Sequence, residues 1–390
     1  MIAPPAGAPT SSYIEAAKLL APRVAELANE IESQRRLLPE LVESFRSAGF
    51  FHLPVPKNAG GLQLDPVTAA MVVEEISAGD GSAGWCVMIG QQNAAFSGFF
   101  APERAREVWG DGQIACGTAR PIGRAVKQGK NFVVNGRWPF ASGTSHADWF
   151  AAECMLFDGD APLRDPDGNH LSRMLMVPRS EVTIHDTWHT TGLRGTASND
   201  FEVKGAVVPA DRGFQVLVTP PQSDWALYRI PMAVFANHGA QALGVARGAI
   251  DSAIAVAEKK VGYGSDRPLR ETPRIQGVVA EATVAVAAAR EYMYQQLEAL
   301  WQKALVGESD HDPRLRARVR LATSNAVRAS LHAVDLLHSA LGTSSLFQTT
   351  PLERQFRDIH MAAAHVMISQ FTYEAAGRVE MGLEAEFPFF

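Results

Sequence analysis

Ser142 is the residue in this chain best able to hold the polar edge of a flat ligand. It lies in Phe140-Ala141-Ser142-Gly143, an aromatic, a small residue, a hydroxyl and a glycine in succession, flanked by Trp138 and Trp149. A hydroxyl beside glycine can hydrogen-bond a ring edge while neighbouring side-chain rings pack on the ligand's faces. The stretch over residues 135–150 opens on Asn135-Gly136, which reads as a two-residue hairpin turn, and closes on the β-forming run Trp149-Phe150-Ala151-Ala152. On these residues alone an ordinary hairpin around a buried aromatic cluster is the commoner outcome.

Other constellations offer less. Gly79, Gly81 and Gly84 match the G-x-G-x-x-G spacing of a dinucleotide site. That chemistry needs a strand before the glycines and a helix after them, so that the pyrophosphate meets a helix N-terminus. A helical pattern precedes them here, so they read as a helix–helix turn. His185 and His189 have no third ligand at useful spacing, and no metal is expected. Gln91, Gln92 and Asn93 read equally as polar contacts to a substrate or as a helix cap. Cys86, Cys116 and Cys154 are odd in number and form no CxxC pair, which suits a reducing cytoplasm.

The bulk properties bound the class. A chain of 390 residues, 46% hydrophobic and 20% charged, is an ordinary globular protein long enough for two or three cores. A net charge of -6 argues against a nucleic-acid partner or an acidic membrane surface. No run of about 18 apolar residues offers a membrane span. The first twelve residues, MIAPPAGAPTSS, lack the basic and apolar regions of a signal peptide and read as a frayed tail.

The elements that must position Ser142 follow from periodicity. Leu20, Val24, Leu27 and Ile31 recur at helical steps, and further helices are expected near Leu38, after Asp65-Pro66 and over residues 85–99. The texture turns to strands near Gln113: residues 114–118, 125–127, 131–134, 147–157, 174–177 and 201–208, separated by Gly, Asn and Asp turns. These predict a central, mostly antiparallel β domain, a barrel or sandwich, with Thr190–Thr196 as a polar glycine-rich loop inside it. Past Pro220-Pro221, long Ala-rich helices are expected over residues 237–260, 275–300, 314–342 and 352–381, as in a four-helix bundle. The expected domains are therefore 1–112 helical, 113–219 β-barrel and 220–390 helical bundle, an α+β chain. Its Ala-rich faces suit a homo-oligomer.

That order, with Phe140-Ala141-Ser142-Gly143 in the β domain, resembles the acyl-CoA dehydrogenase fold family over residues 16–379. Matching stretches include Pro54-Val55-Pro56 through Gly60-Gly61, Gly192–Asn199 leading into Val207-Val208-Pro209, and Arg357-Asp358. In the dehydrogenases a glutamate nine residues beyond that arginine removes the substrate α-proton; here the position is Val366, beside His365. The family's Arg-x-x-Phe-Gly segment, which reaches a neighbouring subunit's flavin, is replaced by Lys260-Val261-Gly262-Tyr263-Gly264.

Both departures resemble the flavin-dependent monooxygenases built on this fold, oxygenase components that hydroxylate phenols, indoles, steroid precursors or sulfur heterocycles. The resemblance implies reduced FAD or FMN, O2, a C4a-(hydro)peroxyflavin, a separate NAD(P)H:flavin reductase and a cytoplasmic homotetramer. It implies Ser142 at the flavin N5 position and His365 as acid or base. It also implies Trp138 and Phe140 as aromatic walls, and Thr118, Gly143, Arg194 and Thr196 as further flavin contacts. His360, about 140° away from His365 round a continuous helix, would face elsewhere. Two alternatives stand beside this: an acyl-CoA oxidoreductase with another base, and a non-catalytic member of the fold. The substrate class leans to an aromatic or heteroaromatic ring.

Overall fold

Two helical regions enclose a mixed sheet, and the site forms where the three meet. The computed structural model describes residue 4, residues 8–308 and residues 312–386. The expected N-terminal tail falls partly outside the described residues, and its last three residues already belong to the first helix.

The N-terminal region holds α1 (Thr10–Gln34), α2 (Pro39–Ser47), α3 (Pro66–Gly79), α4 (Gly81–Ala94) and α5 (Pro102–Trp109). Asp65 caps α3 through Thr68 N at 2.8 Å, with Pro66 at the first helical position, where its missing N–H costs nothing. Asp80 alone separates α3 from α4 and caps the latter through Ala83 N. The glycines around it serve packing: a Cβ at Gly79 would lie 2.5 Å from Ala21 O, and one at Gly84 would lie 1.8 Å from Ser77 Oγ. Helix α4 is consequently buried almost all round, with Trp85, Ile89, Gln92 and Asn93 on one stripe.

The sheet contains β1 (Ala115–Gln128), β2 (Asn131–Trp138), β3 (Trp149–Asp158), β4 (Ala161–Pro162), β5 (Ser172–Pro178), β6 (Val182–His185), β7 (Asp200–Pro209) and β8 (Gly213–Phe214). Its order is β6-β7-β2-β1-β3-β5-β8, with β4 on β3. Most pairs are antiparallel, as expected, and the exception is β1 with β3, which run parallel. The reason is that β2 returns on the far side of β1, so the chain must cross over before adding β3.

Two expectations change. The strands expected at residues 114–118 and 125–127 are one strand, β1, irregular between Thr118 and Gly123, where Arg120-Pro121 interrupts the ladder. Proline cannot donate to a ladder and is tolerated at such a bulge. Asn135-Gly136 is not a turn but lies inside β2, at a register shift where Asn135 Oδ1 accepts from Gly205 N. The turn between β1 and β2 is Gly129-Lys130, within the Gln128-Gly129-Lys130 turn that the sequence predicts.

The C-terminal region holds α6 (Asn237–Lys259), α7 (Pro273–Leu305), α8 (Pro313–Leu341), α9 (Pro351–Ala363) and α10 (Gln370–Glu380). The buried face of α7 carries Ile275, Ala282, Val286, Ala289, Met293, Leu297 and Leu300, as its periodicity predicts. The fourth bundle position is shared by α9 and α10, because the continuous helix expected over residues 352–381 is broken. At the break His365 has φ -71° and ψ 137°, and its Nδ1 accepts the Met367 N–H that a helical carbonyl would otherwise take. His365 therefore stands on a connecting segment, and the angular argument separating it from His360 does not apply.

Candidate active site

The stretch that carries Ser142 is a loop, not a strand end, and its backbone is held in place on both sides. Phe140 has φ 63°, a left-handed conformation that costs an aromatic residue energy, and Gly143 has φ 90°. Ala141 N donates to Asn199 O, Gly143 N to Thr196 O, and Thr144 Oγ1 to Ala197 O at 2.7 Å. The loop at residues 193–199 thus clamps the loop at residues 140–144. Leu193 and Ala197 are themselves left-handed, at φ 47° and 46°.

These loops, the start of β1, the α4 stripe and the α9–α10 break surround a cavity of about 660 Å³. That lies within the usual size of a small-molecule or cofactor site, ~300–1,000 Å³. Its wall includes Trp85, Gln92, Asn93, Thr118, Phe140, Ser142, Trp188, Ser198, Phe235, His365 and Val366. Where β1 leaves the ladder, Gly117, Thr118 and Ala119 add a strip of small residues. Among the described residues no Asp or Glu lines the cavity.

Trp85 joins the two ends of the site. Its Nε1–H donates to Ser142 Oγ at 3.0 Å, and its ring lies edge-on to His365 at 5.7 Å. Ser142 Oγ is 2.7 Å from Ser198 Oγ, which is 2.6 Å from Thr196 Oγ1. His365 stacks on His238 at 4.4 Å, and His238 stacks in turn on Phe235. Burial, together with the nearby Arg320 guanidinium, lowers the His365 imidazole to about 4. His238 is fully enclosed, neither ring nitrogen has a partner, and burial keeps it neutral.

The residues singled out from sequence divide into two sets. Thr118, Phe140, Ser142 and His365 reach the cavity, as do Gln92 and Asn93. Gln91 does not: it joins Phe50 O to Asn237. Trp138, expected as a wall, is instead buried in the sheet, stacked on Phe201 at 5.0 Å with Nε1 bonded to Glu153 O. As the last residue of β2, it turns inward by strand alternation.

Gly143, Arg194 and Thr196 sit behind the wall: Thr196 is buried and Arg194 faces Glu32. His185 pairs with Glu202 and His189 with Asp186, while His360 pairs with Asp335 on the outside of the bundle. Sequence reasoning missed Trp85, Ser198, His238 and Trp188. Trp85 shares its helical stripe with Gln92, and Ser198 lies inside the recognised Gly192–Asn199 segment, so both were open to inference.

A buried carboxyl pair anchors this wall. Asp358 Oδ1 accepts from Leu193 N at 2.6 Å, while Asp80, next to it, faces Arg354 at 3.4 Å. Burial, and then the neighbouring Asp80, raise the Asp358 carboxyl to about 7. A carboxyl raised above its unfolded value of about 3.9 stabilises the fold fully below that pH and loses the contribution as pH rises towards 7. Asp358→Asn should therefore flatten the decline in stability between about pH 4 and 7, measured as urea midpoints against pH. An unchanged slope would show that Asp358 does not hold the proton.

The chain matches the model of the acyl-CoA dehydrogenase N-terminal domain over residues 14–103 and that of the C-terminal domain over residues 236–370. It is 30% identical to an indole-3-acetate monooxygenase of Pseudomonas putida, over 90% of this chain and 89% of that one. It is 27% identical to the oxygenase component of an FADH(2)-dependent resorcinol hydroxylase of Rhizobium sp., over 88% and 87%. The crystal structure of the HsaA monooxygenase from M. tuberculosis superposes with a TM-score of 0.87 at 28% identity, covering 98% of this chain and all of that one.

Proposed function

The chain belongs to the acyl-CoA dehydrogenase fold family, among its flavin-dependent monooxygenases, and from that premise we propose its reaction. It is the oxygenase component of a two-component system that uses reduced flavin and O2 to hydroxylate an aromatic or heteroaromatic small molecule of phenol or indole type. The observation that carries this reading is a neutral imidazole, His365, at a cavity that no described carboxylate lines. An α-proton beside a thioester needs a carboxylate-like base, and Val366 cannot act as one.

The residues present fit a flavin. A buried hydroxyl faces the cavity, small residues of β1 leave room for a flat ring, and Trp85, Phe140 and Trp188 supply aromatic surface. Reduced flavin, when bound, supplies two electrons so that one oxygen atom of O2 enters the substrate and the other leaves as water. Ser142 would hold the flavin's N5 proton, and Thr118 would contact the same ring. The Nδ1 of His365 is occupied by the Met367 N–H, so the neutral ring carries its hydrogen on Nε2. It acts as a hydrogen-bond donor to the oxygen-bearing end of the ligand. Phe96, Ile89 and Phe235 would pack on the substrate ring and keep water out.

The same proposal includes a separate NAD(P)H:flavin reductase, a cytoplasmic homotetramer, and the division into units at 1–112, 113–219 and 220–390. Among the described residues, no helix is long and apolar enough to cross a membrane. Ser142→Ala should still bind reduced flavin but release more hydrogen peroxide per product formed. One lost hydrogen bond of about 1–2 kcal/mol corresponds to roughly ten-fold. The ratio of peroxide to hydroxylated product decides it, and unchanged coupling would remove Ser142 from the reaction.

A further inference from the structure

Four polar groups, at and behind the cavity wall, form one chain whose hydrogens can be counted. Thr196 Oγ1 lies 2.8 Å from Leu193 O and 2.6 Å from Ser198 Oγ, and Ser198 Oγ lies 2.7 Å from Ser142 Oγ. Oxygens this close need a hydrogen between them. A carbonyl has none to give, so Thr196 donates to Leu193 O. Ser198 must then donate to Thr196, and Ser142 must donate to Ser198. Three contacts use all three hydroxyl hydrogens. The order is fixed from the Leu193 carbonyl outwards, and Ser142, Thr196 and Ser198 are all buried, at 6%, 0% and 4% exposure. Trp85 Nε1–H occupies one lone pair of Ser142. What Ser142 offers the cavity is its other lone pair and no hydrogen.

From this we infer that Ser198 is a positioning residue, which through the hydroxyl chain fixes the direction of the Ser142 hydroxyl and so sets how strongly the site distinguishes reduced from oxidised flavin. The inference rests on the reading that a flavin occupies the cavity with its N5 edge at Ser142. Reduced flavin carries an N–H at that position, which an acceptor welcomes. Oxidised flavin presents a bare nitrogen there, and two lone pairs meet. This orientation therefore favours reduced flavin over oxidised. Ser198 is the positioning residue: by accepting Ser142's hydrogen it keeps that hydrogen away from the ligand.

The test is anaerobic titration of the full chain with FAD and with FMN, each reduced and oxidised, in the wild type, Ser198→Ala and Ser198→Thr. The wild type should bind reduced flavin more tightly. Ser198→Ala frees the Ser142 hydrogen to turn to the ligand, so oxidised flavin should tighten and the preference should fall about ten-fold. Ser198→Thr keeps the hydroxyl and should restore the preference. A Ser198→Ala protein that binds flavin with the wild-type preference overturns the inference. So does a wild type that binds both states equally, a result that needs no variant. If the wild type binds neither state of either flavin, the flavin reading itself fails, which is a distinct outcome.

Discussion

Replacing His365 with alanine should slow oxygen transfer by about 10²–10⁴-fold, the usual contribution of a placed acid, base or donor, while flavin binding survives. The residue sits at the break between α9 and α10, lines the cavity and offers Nε2–H to a ligand because Met367 N–H occupies Nδ1. Losing the imidazole removes that donor, leaves Trp85 and His238 with a gap and frees the Met367 N–H at the break, but it takes no hydrogen bond out of α9 or α10 themselves. His360→Ala is the control, since its ring leaves α9 on the outer side and bonds Asp335 of α8.

Rapid mixing of reduced enzyme with oxygen and substrate separates flavin binding from transfer, and a wild-type transfer rate in His365→Ala would discard the assignment. The imidazole is held near 4, so it stays neutral from about pH 5.5 upwards, well below an ordinary histidine's range. The transfer step should accordingly show no histidine ionisation between about pH 5.5 and 8.

Trp138→Ala should behave in the opposite way, destabilising the protein by about 3–5 kcal/mol, as large-to-small changes at buried aromatics do. The ring is fully buried against Phe201, and a Cβ at Gly123 or Gly136 would strike it at 2.1 or 2.7 Å. Its Nε1–H also satisfies Glu153 O. Flavin affinity of the folded fraction should change little, because the residue is not among those lining the cavity. Urea unfolding and flavin titration of the same sample read both quantities. A loss of flavin affinity without loss of stability would return Trp138 to the site.

Trp138 also shows where sequence reading stops. Its type and its place near Ser142 suggested a wall, but which face of a strand a residue takes depends on register. Here Asn135-Gly136 is absorbed into a register shift instead of turning the chain. The helix order and the long apolar face of α7 were legible because 3.6-residue periodicity is local and strong. Ser142 and His365 were legible through a family pattern that the loop order preserves.

The break at His365 was not legible, because no proline or glycine marks it and the cap is made by a side chain against its own segment. Trp85 and Ser198 carried local signals, a shared helical stripe and a recognised segment, but His238 carried none: it reaches Trp85 and His365 from α6 through tertiary packing alone. Gly79, Gly81 and Gly84 gave a nucleotide-like spacing because helices that cross closely need small residues.

The most direct test of the central claim is the fate of oxygen. Purified protein would be loaded anaerobically with reduced FAD or FMN, then mixed with ¹⁸O₂ and a panel of phenols and indoles, and the products analysed by mass. The account predicts a product carrying one ¹⁸O atom per flavin oxidised, with peroxide as the minor outcome. Reoxidation of bound flavin to peroxide alone across the panel, together with bleaching of oxidised flavin by an acyl-CoA thioester, would contradict it.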